Sequence, residues 1–271
     1  MPRLLTDAQV QDFHRDGIAF PISVLSDEEA AKYLALSNDL EQQLGGKPKP
    51  VELAQMHFHF RWAYNLAMHP KVLDAVEDVL GPNVLAWALS LFPKHPHDPS
   101  YISWHQDGMY WGLDSTQVAT AWIALSSSTV ENGCMRVVAG SQRDRYVPHV
   151  ETFAEGNLLS RGQEVAVEVN DDEATDVVLK AGELSLHDVR IIHGSNANQS
   201  DEKRVGFAVR YVTPEVAQVG QRPKAVLARG RDDHHHYELV GPPVEKSLPE
   251  ALAAMKASAD AHLDSVMQKK V

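Results

Sequence analysis

The chain has 271 residues, of which 44% are hydrophobic and 23% are charged, values ordinary for a globular protein with a sizeable core. Its 25 basic and 37 acidic side chains give a formal net charge of −12, which argues against a nucleic-acid-binding face and against docking on an anionic membrane. Cys134 is the only cysteine, so an internal disulfide is excluded, and the N-terminus lacks the apolar run of a signal peptide. We therefore expect a soluble, cytoplasmic protein with neither a nucleic-acid nor a membrane partner.

The first eighty residues predict mainly helices. Thr6-Asp7-Ala8-Gln9 and Ser26-Asp27-Glu28-Glu29 each fit a capping box, in which the first and fourth side chains satisfy each other's backbone N–H groups at a helix start. Residues 70–80 predict a further helix, because proline opens the segment and Gly81 follows it. Between these helices, residues 56–62 alternate in a strand-like way, with a helix as the alternative for a segment of this length. On a strand, His57 and His59 would share a face.

From residue 84 onward the pattern changes to short strands, separated by turn signals such as Glu131-Asn132-Gly133. Many short strands without alternating helices favour antiparallel sheets, as in a sandwich or a jelly roll. The predicted strands are residues 84–92, 101–107, 118–125, 135–138, 165–169, 177–180, 184–188, 190–193 and 206–212.

The segment from residue 247 to the end predicts an amphipathic helix with an apolar stripe. We expect this tail to pack on its own core, and a homodimer contact through it is the alternative. No repeat or composition shift marks a second domain. The chain is therefore expected to form one domain over residues 1–271, with helices in residues 6–80, a β-barrel core at about residues 84–213 and the helical tail at residues 247–271.

One predicted strand carries a pair of metal-type side chains. His105 and Asp107 point to the same face of an extended strand, because side chains alternate with a period of two. An imidazole and a carboxylate there form two thirds of a 2-His-1-carboxylate triad, a ligand set typical of Fe(II). The chain has five His-x-Asp/Glu pairs where about two are expected by chance, but the other four fall on predicted helices or in polar loops.

Two further residues complete the pattern of a candidate site. His193 follows an apolar strand and precedes Gly194, which makes it the candidate third ligand. Eleven residues later, Arg204 opens another strand with a side chain suited to bidentate capture of a carboxylate. His187, on the preceding strand, is expected to support the site or the core. The run His234-His235-His236 predicts an exposed loop, with a lid over the site as the alternative.

Four stretches occur in order along the chain: Trp104-His105-Gln106-Asp107, Ala121-Trp122-Ile123-Ala124-Leu125, residues 131–141 (Glu-Asn-Gly-Cys-Met-Arg-Val-Val-Ala-Gly-Ser) and Ile192-His193-Gly194-Ser195-Asn196-Ala197-Asn198. Together they resemble the phytanoyl-CoA dioxygenase family of Fe(II)/2-oxoglutarate oxygenases. The N-terminal segment 13–17 resembles the opening helix of that family, and the similarity spans roughly residues 5–213.

The resemblance implies a double-stranded β-helix, that is, a jelly-roll barrel, with helices packed outside it. It also implies that His105, Asp107 and His193 hold Fe(II), and that Arg204 binds the distal carboxylate of 2-oxoglutarate beside Ser195. Trp122 would line the cosubstrate pocket, for which Thr120 and Asn65 are further candidates.

The implied reaction uses O₂ and 2-oxoglutarate to hydroxylate an unactivated C–H bond, and it releases succinate and CO₂. The carboxylate at Asp107 favours hydroxylation over halogenation, since similar enzymes that halogenate have a small residue there. The next residues, Met109-Tyr110-Trp111, are predicted to rim the barrel mouth and contact substrate, with aromatic packing beneath a loop as the alternative. Arg136 and Lys94 are candidates to meet an anionic group, with solvated surface charge as the alternative.

The substrate is expected to be a small polar metabolite, such as an amine, an aminophosphonate or an amino-acid-like compound. The acidic chain has no evident basic groove for the pyrophosphate of coenzyme A. An acyl-CoA or lipid-derived substrate is the alternative among enzymes. A metal-binding jelly roll without turnover is the alternative from another class.

Overall fold

The structure, a computed structural model, describes the backbone of residues 2–268 and the side chains of residues 2–261. Two of its helices start as their sequence predicts. The side chains of Thr6 and Ser26 each accept a hydrogen bond from the backbone N–H of the residue three positions later, and the side chain of that later residue accepts the backbone N–H of Thr6 or Ser26 in return. The α-helices are α1 Asp7–Asp16, α2 Asp27–Gln43, α3 Arg61–Ala67, α4 Pro70–Leu80 and α5 Leu248–Gln268.

Thirteen strands within the described residues form three sheets. The strands are β1 Ile18–Ser23, β2 Val84–Lys94, β3 Ile102–His105, β4 Val118–Ala124, β5 Met135–Val138, β6 His149–Glu151, β7 Gln163–Val165, β8 Thr175–Val177, β9 Glu183–Asp188, β10 Ile192–Ser195, β11 Arg204–Val212, β12 Lys224–Arg229 and β13 Glu238–Leu239. The seven-stranded sheet has the order β1-β9-β4-β11-β2-β12-β13, the four-stranded sheet β3-β10-β5-β8, and β6 pairs with β7. Every pair except β12 with β13 is antiparallel.

Strand β11 shows how the large sheet separates the helices from the site. Phe207, Val209 and Tyr211 belong to the core that α1 to α4 also form. The alternate positions Ala208 and Arg210 line a cleft on the opposite face, because successive side chains of a strand point to opposite sides. The four-stranded sheet covers that face, and its Met135 and Val137 share a second core with Trp122 and Ala208 of the large sheet.

Residues 56–62 do not form the predicted strand, and that prediction is wrong. Residues Met56–Phe58 form a 3-10 turn that leads into α3, and the backbone N–H groups of His59 and Phe60 both donate to the Met56 carbonyl. Met56 and His57 are consecutive and both fully buried, which an alternating strand at a sheet surface would not permit. Alternation over so short a segment is ambiguous between strand and helix.

Three predicted strands are displaced along the chain. Residues 165–169, 177–180 and 190–193 were expected, whereas the structure has Gln163–Val165, Thr175–Val177 and Ile192–Ser195. Strand Lys224–Arg229 was not predicted at all, although it pairs with β2 in the large sheet. Its residues are of mixed burial, and only its pairing with β2 and β13 identifies it as a strand.

The C-terminal helix α5 packs on its own chain over the residues that the structure describes. Met255 is fully buried in the core shared with α1 to α4, and Ser258 Oγ lies 2.8 Å from His59 Nε2. The later part of the apolar stripe, Leu263, Val266 and Met267, lies outside the described side chains. Within residues 2–268, no helix has the length and hydropathy needed to cross a membrane. The single-domain division stays a prediction.

Acidification should destabilise the metal-free protein through His57. Burial, together with the nearby His59, lowers the pKa of His57 to about 3, and neither of its ring nitrogens has a hydrogen-bond partner. The folded state thus keeps His57 neutral while the unfolded state binds a proton below its ordinary pKa of 6.5. We expect this residue to lower the free energy of unfolding by up to about 1.4 kcal/mol per pH unit as the pH falls from there.

Urea denaturation of the metal-free protein at several pH values between 7.5 and 4.5 tests this expectation. The variant His57→Leu should show a shallower loss of stability on acidification than the unchanged chain. Equal slopes for the two proteins would show that His57 is protonated in the folded state.

Candidate metal centre

Strands β3 and β10 bring three metal-type side chains together. The two strands pair antiparallel with His105 directly opposite His193, and Asp107 begins the 3-10 turn that follows β3. One donor atom from each of the three residues lies within 4.8 Å of the others, and His105 Nε2 is 3.4 Å from Asp107 Oδ1. All three side chains are buried. Residues 88 positions apart in sequence therefore form one compact donor set.

Residues between and beside these groups fix their direction. Gln106, between His105 and Asp107, points the other way: its Nε2 donates to the Arg190 carbonyl at 2.6 Å and its Oε1 accepts the Val147 N–H at 2.9 Å. Gly108 follows, and a Cβ there would lie 2.0 Å from the Tyr146 hydroxyl oxygen. The glycine of the His-x-Asp-Gly stretch is therefore required by packing, because any side chain there would collide with Tyr146.

The hydrogen bonds of the two histidines define their tautomers. His105 Nδ1 lies 2.9 Å from the Ser103 carbonyl oxygen, and His193 Nδ1 lies 3.0 Å from that of Ile191. A carbonyl only accepts hydrogen bonds, so each Nδ1 carries the proton and each Nε2 keeps its lone pair. This arrangement orients Nε2 as a ligand, and the carbonyl partner is the usual outer support of a metal-bound histidine.

The electrostatics of the cluster suit a divalent cation. Burial by itself would raise the pKa of Asp107, but the adjacent His105 and His193 rings and the Arg210 guanidinium outweigh it and hold the pKa well below its ordinary value. Burial lowers the pKa of His193. The site thus combines an ionised carboxylate with a neutral imidazole, and two nitrogens with one carboxylate match the facial triad of non-haem Fe(II) sites.

The triad opens onto a cleft of about 500 Å³ between the large and small sheets. On the large sheet, Thr120 pairs with His187 on one side and with Arg210 on the other, so these three lie in one row across the sheet. His187 Nε2 lies 4.0 Å from Asp107 Oδ2. This row therefore lies below the Asp107 carboxylate. His187 lies beside the triad, and its supporting role stays a prediction.

Arg204 stands at the other end of the cleft. It is 1% exposed, its Nη1 donates to the Gly133 carbonyl at 2.5 Å, and its Nε has no partner. Its guanidinium carbon lies 5.3 Å from the centre of the Trp122 ring, in cation–π contact. Burial lowers the pKa of Arg204 to about 10, so the group stays charged at neutral pH. A buried cation of this kind is suited to an incoming carboxylate.

Comparison with known proteins decides the family. Residues 13–206 match the phytanoyl-CoA dioxygenase (PhyH) family. The chain belongs to the phytanoyl-CoA dioxygenase family. Over 202 residues it is 26% identical to a probable alpha-ketoglutarate-dependent hypophosphite dioxygenase of Stutzerimonas stutzeri, covering 72% of this chain and 66% of the relative. Over 150 residues it is 25% identical to the peroxisomal phytanoyl-CoA dioxygenase of Homo sapiens, covering 54% of this chain and 44% of the relative.

Solved structures agree with this family assignment. The apo form of the non-haem monooxygenase ThoJ is 31% identical and has a TM-score of 0.83, covering 97% of this chain and 100% of that one. CytC3 with Fe(II) and alpha-ketoglutarate is 22% identical with a TM-score of 0.66, covering 89% of this chain and 94% of that one, and it supports the fold alone. The predicted family and the jelly-roll fold class are confirmed. Relative to the curated proteins above, the aligned region spans less than two thirds of their length.

Part of the predicted cosubstrate pocket comes together in the fold. Ser195, Trp122 and Thr120 line the cleft with Arg204. Asn65 does not, because it is exposed on α3, on the helical side of the large sheet.

Lys94 is fully buried, so the alternative of a solvated surface charge is wrong for it. Its Nζ donates to Ser195 Oγ at 2.7 Å and to the Asn196 carbonyl. Lys94 pairs with Arg204 across β2 and β11, and it fixes the rotamer of the serine that lines the cleft.

The predicted substrate residues lie in different places, and only some of them line the site. Tyr110 and Trp111 line a hollow of about 650 Å³ that adjoins the cleft, whereas Met109 lines neither. Arg136 lies outside both, in ion pairs with Asp171 and Asp176 at 3.3 and 3.0 Å. The triple-histidine run is an exposed to half-buried loop at residues 234–236.

Sequence reasoning missed Arg210, which lines both the cleft and the adjoining hollow. The signal was present, because Arg204 and Arg210 are six residues apart on one strand and an even spacing places both on the same face. The apolar residues at the odd positions of that strand identify its core face, so the opposite face holds both arginines.

Gly206 leaves the space that the Trp122 ring occupies. A Cβ at this position would lie 1.9 Å from the Trp122 ring, which packs over Gly206 and contacts Arg204. Replacing Gly206 with alanine should displace Trp122, destabilise the protein by about 1–3 kcal/mol and weaken 2-oxoglutarate binding about tenfold.

Chemical denaturation and cosubstrate titration measure these two effects. Gly241→Ala is the matched control, because a Cβ there meets nothing within 4 Å and the backbone is not left-handed. It should change stability by less than about 0.5 kcal/mol. Unchanged cosubstrate affinity in the Gly206 variant would show that Trp122 does not support the cosubstrate.

Proposed function

We propose that this chain is an Fe(II)- and 2-oxoglutarate-dependent dioxygenase that hydroxylates an unactivated C–H bond of a small polar metabolite. The observation that supports it is the buried cluster of His105, Asp107 and His193 at one side of a cleft whose far end holds the buried cation of Arg204. A site for a redox metal and a clamp for a dicarboxylate in the same cleft are what such a reaction needs.

His105 and His193 hold Fe(II) through Nε2, and Asp107 holds it through its ionised carboxylate. Bound Fe(II) supplies the redox chemistry by which O₂ and 2-oxoglutarate yield a hydroxylated product, succinate and CO₂. Arg204 binds the distal carboxylate of 2-oxoglutarate, and the hydroxyl of Ser195, held by Lys94, donates a hydrogen bond beside it.

The apolar walls of the cleft exclude water around the cosubstrate. Phe92, Trp122, Met135 and Ala208 line the cleft between Arg204 and the triad. A low-dielectric wall strengthens the attraction between the guanidinium and a carboxylate. It also keeps bulk water away from the reacting groups.

An anaerobic titration tests the proposed site directly. Adding 2-oxoglutarate to the Fe(II)-loaded protein should produce a weak visible charge-transfer band that saturates at one equivalent. Succinate should form once O₂ is admitted. A protein that binds Fe(II) but gives neither the band nor succinate would be the non-catalytic jelly roll instead.

The small polar substrate is supported by the size of the cleft and by a relative. The cleft and the adjoining hollow share Phe92, Asp107 and Arg210, so they form one limited space, and 2-oxoglutarate takes part of it. The relative from Stutzerimonas stutzeri is named for hypophosphite, a very small phosphorus oxyanion.

An acyl-CoA is the second candidate, and a groove beside the cleft favours it. The groove has a volume of about 1860 Å³, contains Lys47 and Lys49, and shares Leu159 with the cleft. Two lysines at its rim would suit the phosphates of a coenzyme A moiety. The human relative is named for a CoA thioester.

A substrate screen separates these two candidates. We expect small polar metabolites to stimulate 2-oxoglutarate decarboxylation at least fivefold above the uncoupled background, and acyl-CoA thioesters to leave it unchanged. Mass spectrometry should find a product heavier by one oxygen atom. Stimulation by acyl-CoA alone would replace the small-metabolite assignment.

Location and partners stay predictions from the sequence. The net charge of −12 supports a chain without a nucleic-acid or anionic-membrane partner, and the cytoplasm is the proposed location. A homodimer through α5 stays the alternative to a tail packed on its own core. Light scattering of the purified chain decides between monomer and dimer.

A further inference from the structure

In the part of the chain that the structure describes, Arg210 forms no ion pair, although the nearby charge of Asp107 acts on it. Among the described residues, no carboxylate oxygen lies within 4.0 Å of its guanidinium nitrogens. Its Nη1 donates a long hydrogen bond of 3.4 Å to the Ala208 carbonyl, and its Nε is buried with no partner. A partly desolvated guanidinium with unused donors costs free energy unless an acceptor arrives from outside the chain.

Aromatic rings hold this guanidinium in place. The guanidinium carbon lies 5.6 Å from the ring centre of Phe92 and 5.6 Å from that of Trp111. Contacts with two rings restrict the rotamer and leave the guanidinium edge as the free hydrogen-bonding side. The group is therefore pre-organised, and binding a ligand costs little additional side-chain entropy.

Arg210 lies too far from Arg204 for both to bind the same small ligand. Six residues of strand span about 20 Å, so one small dicarboxylate bound at Arg204 does not also occupy Arg210. Arg210 lines both the cleft and the adjoining hollow, together with Asp107. A molecule held in the hollow by Arg210 thus lies next to the triad, where a substrate must be.

We propose that Arg210 is a specificity-determining residue that binds an anionic group of the substrate, a carboxylate or a phosphorus oxyanion, by a bidentate contact. This inference rests on the proposed function and narrows its substrate class to small metabolites that carry a negative charge. Phe92 and Trp111 orient the guanidinium for this contact. The competing role for Arg210 is that of a counter-charge that keeps Asp107 ionised.

Ligand binding to the protein loaded with Fe(II) and saturated with 2-oxoglutarate under argon tests the assignment, because Arg204 is then occupied. The probes are propionate, ethylphosphonate and the neutral isostere propionamide, followed by calorimetry. We expect at least one anion to bind more tightly than propionamide, and the tighter of the two identifies carboxylate or phosphorus oxyanion as the preferred group.

Variants of Arg210 give the deciding comparison. Arg210→Gln should weaken binding of the preferred anion about tenfold to hundredfold and leave propionamide unaffected, while Arg210→Lys should retain part of the preference. Arg231→Gln is the matched control, because Arg231 is 79% exposed and pairs only with Asp233 among the described residues. It should bind all three probes as the unchanged chain does.

Three results would overturn the assignment: no preference for anions in the unchanged chain, equal anion affinity after loss of Arg210, or loss of the Fe(II)–2-oxoglutarate band in both Arg210 variants. The last result would assign Arg210 the counter-charge role at Asp107. A failure of the proposed function is distinct, since the band would then be missing from the unchanged chain as well.

Discussion

Replacing His105 with alanine should reduce succinate formation from 2-oxoglutarate at least about a hundredfold, to the level of free Fe(II) in solution. The change removes one of two nitrogen ligands, and the remaining His193 and Asp107 offer only two donors from the chain. A mutation of this kind affects the metal itself, so the loss should appear with any substrate and without one.

The measurement is succinate yield together with the visible band of the anaerobic complex. His14→Ala is the matched control, because His14 and Asp16 form another His-x-Asp pair, but His14 is exposed on α1. The control should keep the band and full succinate formation. Full turnover by a His105→Ala/His193→Ala double variant with added Fe(II) would contradict the assigned ligands.

Replacing Arg204 with glutamine should raise the concentration of 2-oxoglutarate needed for half-maximal succinate formation about tenfold to hundredfold. The reason is that the variant loses a charge-assisted bidentate contact in a buried site, which is worth about 1.5–3 kcal/mol. The maximal rate should fall much less, because the triad is unchanged and the cosubstrate still reaches it at saturation.

A titration of the anaerobic band gives the cosubstrate affinity independently of turnover. Arg204→Lys should bind 2-oxoglutarate with intermediate affinity, since lysine keeps the charge and loses the fork geometry. Arg231→Gln should match the unchanged chain. A glutamine variant with an unaltered cosubstrate requirement would assign the distal carboxylate to another group, and Lys94 would be the first to examine.

Local patterns in the sequence determined much of the proposed site. The two capping boxes are present because each needs only four consecutive residues. His105 and Asp107 meet in one donor set although β3 ends at His105 and Asp107 begins a turn, because Gln106 between them is still extended. The apolar run before His193 predicted a buried strand, and the structure pairs that strand with β3. Each inference depends on short-range geometry that the backbone imposes everywhere.

Tertiary structure alone decided what surrounds these residues. The buried position of Lys94 and the row formed by Thr120, His187 and Arg210 depend on which strands pair and in which register. Asn65 lies on the far side of the large sheet because it belongs to α3, which packs on the helical side. Strand register depends on pairing partners far apart in the chain, and burial depends on packing between whole layers. The sequence by itself therefore determined the proposed iron ligands as residues at strand ends. Only the folded sheets showed that a second arginine faces them.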